Sequence, residues 1–328
     1  MITKGTDVHF VGPFNDLLTQ FVKMKCSLGF SYVSSANILE RFSRFTVTLG
    51  LKEPSLTKEV ASLWTKKRDW ESDRTYGERI SNLRQFSLFL VDLGYPAFIP
   101  ICIAKIDRHK FVPYIFNSEE LQRFFYTCDT LSVSKRTNRN ILLPVLFRLL
   151  YSTGLRISEA TKLKLCDIDF NNYLLTIKNG KGGKDRLIPI PLSLKLFMET
   201  LLTQVHQLST PQDYFFLNQD RTRYRKNTAY ENFRKILWQS GISHGGKGVG
   251  PRMHDLRHTF AVHSLMNMVK RGINIYCALP ILSTYLGHTS IASTEYYVRL
   301  TAEFFPDIIK LVDPVSKYIL PAVYHETY

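Results

Sequence analysis

Cysteine is scarce in this sequence and forms no recognisable pairs. The 328 residues include five cysteines, an odd number, and no two of them are spaced as in a CxxC motif. A disulfide framework pairs its cysteines, and a cysteine zinc site needs closely spaced thiols. Both are excluded as organising features, and the pattern favours a reducing environment such as the cytoplasm.

Long apolar runs and acidic clusters are also lacking. The most apolar stretch, residues 141–151, contains Pro144 and Arg148 and is too short to span a bilayer, so it predicts a buried helix. The first residues do not form the apolar core of a secretory signal, and we expect a soluble cytoplasmic protein. The lack of an Asp/Glu cluster argues against a two-metal nuclease.

Acidic residues are clearly outnumbered by basic ones. Lysine and arginine total 43 against 28 aspartates and glutamates, so the formal net charge is +15 and the pI is about 9.5. This excess favours a polyanionic partner, either nucleic acid or an anionic membrane surface. Apolar residues make up 45% of the chain, enough for packed cores, and the length suggests two domains.

The first part of the chain predicts a helical domain. Apolar residues recur near the helical period in segments 14–28, 36–49, 58–70 and 74–93. A basic stretch without clear periodicity follows at 102–113, and Asn117 or Ser118 can cap a new helix beyond it. We therefore expect a helical domain over residues 1–110 and a second domain over residues 111–328.

Basic side chains are frequent on or near the last two of these helices. With a nucleic-acid partner they become candidates for phosphate contacts, although such side chains often only solvate a helix face. The candidates are Lys66, Lys67, Arg68, Arg74, Arg79 and Arg84.

The second domain predicts further helices and one small sheet. The strands are 174–177 and 187–190, on either side of a Gly-rich turn. The helices are 118–128, 139–152, 192–205, 228–240 and 253–270, and the chain is mostly helical from there to residue 311. The expected fold class is mainly α with a small antiparallel β-sheet.

Six residues of the second domain have the chemistry to break and rejoin a phosphodiester without metal or water. Phosphoryl transfer needs cations at the non-bridging oxygens, a proton donor for the leaving oxygen and a nucleophile. The six candidates are Arg156, Lys181, His254, Arg257, His288 and Tyr297.

Arg156 lies in TGLRISEA, where Gly154 ends one helix and Ser158 and Glu159 help to start the next. A fixed guanidinium beside a helix N-terminus can stabilise an oxyanion. The alternative is a structural arginine paired with Glu159 or with a backbone carbonyl.

Lys181 lies in the turn NGKGGK between the two predicted strands. From a hairpin tip, one ammonium group can reach a DNA groove and donate a proton to a leaving oxygen. Lys178 and Lys184 are alternatives for this role, and Lys184 is also a candidate DNA contact.

His254 and Arg257 are three residues apart in HDLRHTF and therefore share one helix face. The arginine can be a second clamp on the phosphate, and the histidine can accept or relay a proton. We expect His258 and His263 to be structural. The spacing of His254 and His258 also fits a zinc hydrolase, but Asp255 stands where that motif needs a glutamate.

In this order and with these flanking residues, the six candidates resemble the signature of the tyrosine recombinases, the phage-integrase family. The resemblance is dense from residue 141 to residue 300 and thinner before that. In that family the arginine of TGLRxSE contacts the scissile phosphate. The last motif of the family is a histidine followed nine residues later by the nucleophile. Here that motif is LGHTSIASTEYY, and the count from His288 selects Tyr297 over Tyr296.

The resemblance implies a site-specific DNA recombinase. Tyr297 would attack the scissile phosphate and form a 3′-phosphotyrosyl link, while Lys181 protonates the leaving oxygen. A homotetramer would exchange double-stranded recombination sites through a Holliday junction, with accessory recombination proteins as further partners and a nucleoid location. No cofactor is implied, because the ester preserves the energy of the broken bond. A type IB topoisomerase and a catalytically inactive DNA-binding regulator are the alternatives.

Two further features bear on assembly and subgroup. The last residues, 314–328, are apolar enough to need burial, and in the resembled family such tails dock into a neighbouring subunit. The stretch 271–286 is longer than in compact Xer-type members. It is more similar to recombinases carried by transposons and integrative elements.

Overall fold

Two units make up the chain, Met1–Phe111 and Val112–Tyr328. The computed structural model describes residues 8–101, 112–134, 136–180, 183, 185–246, 250–288, 294, 297 and 300. Lys181 and Lys184 lie outside the described residues, as does the apolar tail.

Residues 8–101 form four helices. Side-chain caps set the start of two of them, because Thr57 accepts a hydrogen bond from the Val60 N–H and Ser72 accepts one from the Thr75 N–H. The helices are α1 (Asn15–Ser27), α2 (Val33–Thr48), α3 (Lys58–Thr65) and α4 (Asp73–Asp92).

Aromatic rings fill the core of this helical unit. The ring of Phe86 lies 5.8 Å from that of Phe14, 5.6 Å from that of Phe21 and 6.4 Å from that of Phe42. All four side chains are at most 1% exposed. Burial of each contributes about 1.5–3 kcal/mol, so these rings fix the packing of three helices.

Helix α3 is shorter than the sequence predicted. It ends at Thr65, and the expected continuation to residue 70 is wrong. Lys66 has left the helical conformation with ψ of 123°, and its carbonyl accepts a hydrogen bond from Arg79 Nη2 at 3.0 Å. A tertiary contact thus replaces the next helical turn.

The second unit combines helices with a three-stranded antiparallel sheet, which confirms the expected fold class. Strand order is β1–β2–β3, and Leu175 lies opposite both Ile168 and Ile188. The strands are β1 (Ile168–Asp169), β2 (Leu174–Ile177) and β3 (Arg186–Pro189). The sequence did not reveal β1, because two residues are too few to show a period.

The helices of the second unit surround α6, whose apolar stretch is buried as predicted. Helix α6 packs against α5, α8 and α10. Within the described residues, no helix is both long and apolar enough to cross a membrane. The helices are α5 (Ser118–Asp129), α6 (Arg139–Thr153), α7 (Ile157–Ala160), α8 (Leu192–Val205), α9 (Lys226–Gln239), α10 (Asp255–Lys270) and α11 (Ile275–Leu286).

Two glycines end the helices that frame the predicted site. Gly154 follows α6 with φ of 59°, and Gly287 follows α11 with φ of 66°. Glycine adopts this left-handed conformation readily, which makes it a common helix end. Beyond α11, the helical residues Thr294, Tyr297 and Leu300 are spaced by three and are all buried.

Candidate active site

Arg156 caps the short helix α7 and lines a cleft of about 350 Å³. The cleft lies between that helix and the hairpin formed by β2 and β3. Its Nη1 donates to Glu159 Oε1 at 2.8 Å, and its backbone N–H donates to Glu159 Oε2 at 3.0 Å. The ion pair that we considered as the alternative therefore exists. The pair and the cleft are compatible, because the Arg156 side chain keeps 20% of its surface exposed.

Arg257 is buried in the first turn of α10, with only 2% of its surface exposed. Its Nη1 donates to the Gly154 carbonyl at 2.6 Å, and its Nη2 donates to the Leu286 carbonyl at 2.8 Å. Burial, followed by the charge of Arg156, lowers its pKa to about 10. It still carries its charge at neutral pH, and its backbone acceptors fix the direction of the guanidinium.

Arg186 is a member of this cluster that the sequence analysis missed. It donates from Nη2 to Glu159 Oε2 at 2.9 Å and from Nη1 to Oε1 at 3.2 Å. Burial raises the pKa of Glu159, but hydrogen bonds from Arg186 and Arg156 outweigh this effect and bring it to about 2. The only signal in the sequence was a charged residue opening an otherwise apolar strand.

His254 and His258 stand one turn apart, with ring centroids 4.8 Å apart. Desolvation by the surrounding protein atoms, followed by the charges of Arg257 and Arg156, lowers the pKa of His254 to about 4, although the residue is exposed. Burial and the charge of His254 lower the pKa of His258 to about 3. Both rings are therefore neutral at physiological pH, and each has one unprotonated nitrogen that can accept a hydrogen bond.

Tyr297 reaches this cluster through His258. The Tyr297 hydroxyl lies 3.0 Å from His258 Nδ1, and the two ring centroids are 5.6 Å apart. The expectation that His258 is structural stays a prediction, because a hydrogen bond to a buried tyrosine suits a structural role as well as a catalytic one. His254 was the expected acceptor of the tyrosine proton, whereas here a nitrogen of His258 lies within hydrogen-bond distance of the hydroxyl.

His288 also lies next to the tyrosine ring. The two rings are stacked with centroids 6.1 Å apart, and His288 Nδ1 lies 2.9 Å from Thr294 Oγ1. Tyr297 is 3% exposed, so its hydroxyl is covered in this arrangement. It is nevertheless close enough to Arg257 for their charges to interact. Five of the six candidates thus form one connected cluster.

Lys181 lies outside the described residues, but one of its competitors can be assessed. Lys178 forms an ion pair with the buried carboxylate of Asp167, and this hydrogen bond raises the pKa of the lysine. An ammonium group held in that way is less able to reach a leaving oxygen. The assignment of Lys181 as the proton donor remains a prediction.

The zinc alternative is not supported by the geometry around the two histidines. Asp255 is 1% exposed, and its carboxylate accepts hydrogen bonds from the Arg252 backbone at 2.7 Å and from the Arg252 side chain at 3.1 Å. It therefore does not face the space beside His254 and His258. Across the described ranges, no group of three or more His, Cys, Asp or Glu side chains could hold a metal ion.

One candidate DNA contact in the helical unit is wrong. Arg79 is 5% exposed, and its Nε and Nη2 donate to Glu71 Oε1 and Oε2 at 2.9 and 2.6 Å. Its guanidinium also lies over the rings of Trp64 and Tyr76. Arg79 holds the loop between α3 and α4 from inside, because the fold has turned this position toward the core.

The other candidate DNA contacts of that unit remain predictions. Lys67 and Arg74 pair with Asp73 and Glu78 at the surface. Exposed pairs are screened by solvent and contribute little, so a phosphate can replace the carboxylate at little cost. The remaining candidates are Lys66, Arg68 and Arg84, of which Arg84 donates to the Pro100 carbonyl.

Comparison with known proteins shows the family. Residues 115–303 match the phage integrase family, and the chain belongs to that family. It is 30% identical to tyrosine recombinase XerC of Oceanobacillus iheyensis over 276 residues, which cover 81% of this chain and 84% of that protein. It is 29% identical over 308 residues to a protein of Sinorhizobium fredii named as an integrase/recombinase, covering 92% and 97% of the two chains.

Solved structures show the same fold. The Tn1549 transposon integrase in complex with transposon right end DNA superposes with a TM-score of 0.63 and 16% identity, covering 88% of this chain and 99% of that one. The XerH recombinase bound to palindromic difH substrate gives a TM-score of 0.60 and 19% identity, covering 92% and 84%.

Proposed function

We propose that this protein is a site-specific DNA recombinase in which Tyr297 attacks the scissile phosphate and forms a 3′-phosphotyrosyl intermediate. The observation that carries this proposal is the contact between the Tyr297 hydroxyl and a neutral histidine, in the same cluster as two arginines. A phenol, a proton acceptor and two cations are the groups that metal-free phosphoryl transfer needs.

Arg156 and Arg257 form the proposed clamp on the non-bridging oxygens. Arg257 is held by two backbone carbonyls and Arg156 by the carboxylate of Glu159, so both guanidinium groups are oriented before DNA binds. Donors that are fixed in advance lose little energy to reorganisation when charge develops on the phosphate. His254 lies beside both arginines and is suited to hydrogen-bond the same phosphate.

His258 is the proposed first acceptor of the phenol proton. Before DNA binds its pKa is near 3, so the ring is neutral and an unprotonated Nδ1 can accept the hydrogen bond from the Tyr297 hydroxyl. Such a ring is a weak base, and it would take the phenol proton only once the negative charge of a bound phosphate raises this pKa. Because Tyr297 is covered here, attack requires the phenol to turn out of its packed position toward the cleft. DNA binding or subunit assembly would favour that turned-out position.

Proton delivery to the 5′ oxygen is assigned to Lys181. The cleft beside Arg156 is bordered by residues 176–180 of the hairpin, which supports a role for the adjoining turn. In the proposed reaction the bond from phosphorus to the 5′ oxygen breaks as the bond to the tyrosine oxygen forms. The ammonium proton passes to the departing 5′ oxygen, which leaves as a hydroxyl, and the reverse steps reseal the strand.

Exchange between two sites requires assembly. We propose a homotetramer on double-stranded recombination sites that passes through a Holliday junction, with accessory proteins acting at the nucleoid. Residues 314–328 are the proposed docking segment between subunits. Deletion of these residues should abolish synapsis of two sites while leaving some DNA binding. Unchanged assembly on gel filtration with DNA would count against the role of the tail.

A suicide substrate tests the function directly. Duplexes made from inverted repeats next to the coding region carry a nick near the scissile phosphate, so that a released fragment diffuses away and a covalent adduct accumulates. The wild-type chain should form this adduct equally well with and without a chelator. Tyr297→Phe should remove the adduct and keep DNA binding, while Tyr296→Phe serves as the matched control and keeps both.

Three readouts separate the alternatives: the covalent adduct, strand exchange between two sites and relaxation of supercoiled plasmid. Adducts together with strand exchange between two sites support a recombinase. Relaxation of supercoiled plasmid without exchange indicates a topoisomerase, which needs only one DNA. DNA binding without any adduct indicates a regulator, and that outcome defeats the proposal.

A further inference from the structure

Arg186 is a largely buried cation to which the proposed chemistry gives no part. It opens strand β3, and its side chain is 12% exposed. Three of its nitrogens donate to protein acceptors. Nη1 and Nη2 contact the two Glu159 oxygens at 3.2 and 2.9 Å, and Nε contacts the Tyr285 carbonyl at 3.2 Å. Its planar guanidinium is therefore held by two separate elements.

The first of these elements carries Arg156. Glu159 accepts hydrogen bonds from the Arg156 Nη1 and backbone N–H on one side and from Arg186 on the other. Two cations thus share one carboxylate, and one positive charge remains unbalanced. Arg186 is occupied by protein acceptors, so the cation that faces the cleft is Arg156.

The second element is the end of α11. The last carbonyls of a helix have no partner within the helix, and they form the negative end of its dipole. Here the Tyr285 carbonyl accepts from Arg186, and the next carbonyl, that of Leu286, accepts from Arg257 at 2.8 Å. Arg257, one of the two arginines proposed to hold the phosphate, and Arg186 therefore bind the same helix end.

Gly287 allows this close approach. A Cβ at this position would lie 3.0 Å from Nη1 of Arg186, and the residue has φ of 66°. Any side chain would crowd the guanidinium and strain the backbone. The next residue is His288, so the helix end that Arg186 holds also sets where this histidine begins.

We propose that Arg186 is a positioning residue for DNA cleavage, an inference that rests on the function proposed above. It aims Arg156 into the cleft through Glu159, and it fixes the end of α11 from which His288 projects. It does not contact the phosphate. Loss of Arg186 should therefore slow the chemical step and leave the affinity for DNA unchanged.

Lysine should not replace this arginine. Its single ammonium group cannot match both carboxylate oxygens and a carbonyl on another element, whereas the guanidinium is a rigid fork. Arg186→Lys keeps the charge but loses the geometry. We therefore expect it to behave like Arg186→Gln, which separates positioning from a general electrostatic effect.

The test measures single-turnover cleavage of the nicked duplex by full-length protein at saturating enzyme. We expect the rate constant to fall about ten- to a hundredfold in both Arg186 variants, as for small misplacements of reacting groups. The dissociation constant for DNA should stay within about twofold of wild type, because no phosphate contact is lost. Arg148→Gln is the matched control, since it removes another two-point ion pair, with Asp129, from the same unit.

A second substrate distinguishes positioning from loss of structure. When one non-bridging oxygen of the scissile phosphate is replaced by methyl, the phosphate is neutral and depends less on Arg156. The penalty of Arg186→Gln should then shrink relative to the natural substrate, whereas a misfolded fraction would lower the reaction amplitude equally on both.

The outcomes separate the two proposals. A wild-type chain without any adduct defeats the proposed function. A wild-type adduct with an unchanged rate constant in Arg186→Gln, or with equal penalties on the two substrates, overturns the role of Arg186. Failure of both Arg186 variants to fold at the assay temperature also overturns it, because the residue would then be needed for stability alone.

Discussion

Replacement of Gly154 by alanine is the sharpest test of how the site is built. This glycine ends α6 with φ of 59°, and its carbonyl accepts the hydrogen bond from Arg257. A Cβ here would lie 2.6 Å from Cδ1 of Phe260 and 2.8 Å from Cδ2 of Leu286. Both neighbours are packed side chains of α10 and α11, so the methyl group must displace at least one of them.

The magnitude follows from two separate costs. An alanine in the left-handed conformation loses about 1–2 kcal/mol. Forcing a methyl group into a packed contact costs about 1–3 kcal/mol more. Gly154→Ala should therefore lower the free energy of unfolding by about 2–5 kcal/mol.

Gly272→Ala is the matched control in the same unit. Gly272 has φ of 81°, and an added Cβ would meet nothing within 4 Å. This variant should lose only the conformational term of about 1–2 kcal/mol. The difference between the two variants isolates the packing term beneath Arg257.

Urea unfolding of the full-length protein, followed by circular dichroism, measures both variants against wild type. The slope with urea should be the same in all three, so that the midpoints report stability. Equal losses in Gly154→Ala and Gly272→Ala would refute the packing argument. Cleavage of the suicide substrate should also fall in Gly154→Ala alone, because the carbonyl that orients Arg257 is displaced.

Two further predictions concern charge. Arg79→Ala should lower the free energy of unfolding of the helical unit by about 3–5 kcal/mol, because it leaves the buried Glu71 carboxylate without its partner. Arg74→Ala, at an exposed ion pair, should change this free energy by less than about 1 kcal/mol. Equal effects of the two variants would contradict the burial of Arg79. Burial holds the pKa of His258 at about 3, below its ordinary value of 6.5, so the unfolded chain binds the proton first and stability falls as pH drops below 6.5. At pH 5 this residue should account for about 2 kcal/mol of the loss, and His258→Gln should show a correspondingly shallower decline in thermal unfolding; parallel curves would sink the assignment.

Much of the fold was open to prediction because it depends on local signals. Helical period placed α1, α4, α5 and α6 to within a residue or two at each end. The cap at Asn117 and the glycine stops mark ends that the backbone itself dictates. The short strand β1 and the early end of α3 were missed, because partners distant in sequence decide both.

By itself, the sequence determined the types and order of the reactive groups. Arg156, Arg257 and Tyr297 could be selected because their flanking residues and spacing carry the family pattern. That selection rests on chemistry that a linear string records: which side chains are cationic, which can take a proton and which can attack. It did not require knowledge of any distance.

Only the tertiary structure decided which side chains share a carboxylate, a carbonyl or a proton. Arg186 joins the cluster because β3 lies next to the end of α11, and His258 meets Tyr297 because their helices bring the two rings together. Arg79 is buried because its guanidinium pairs with Glu71 inside the helical unit. Each outcome is set by contacts between segments far apart in sequence or by the direction in which a side chain points, and neither is written in the local pattern of residues.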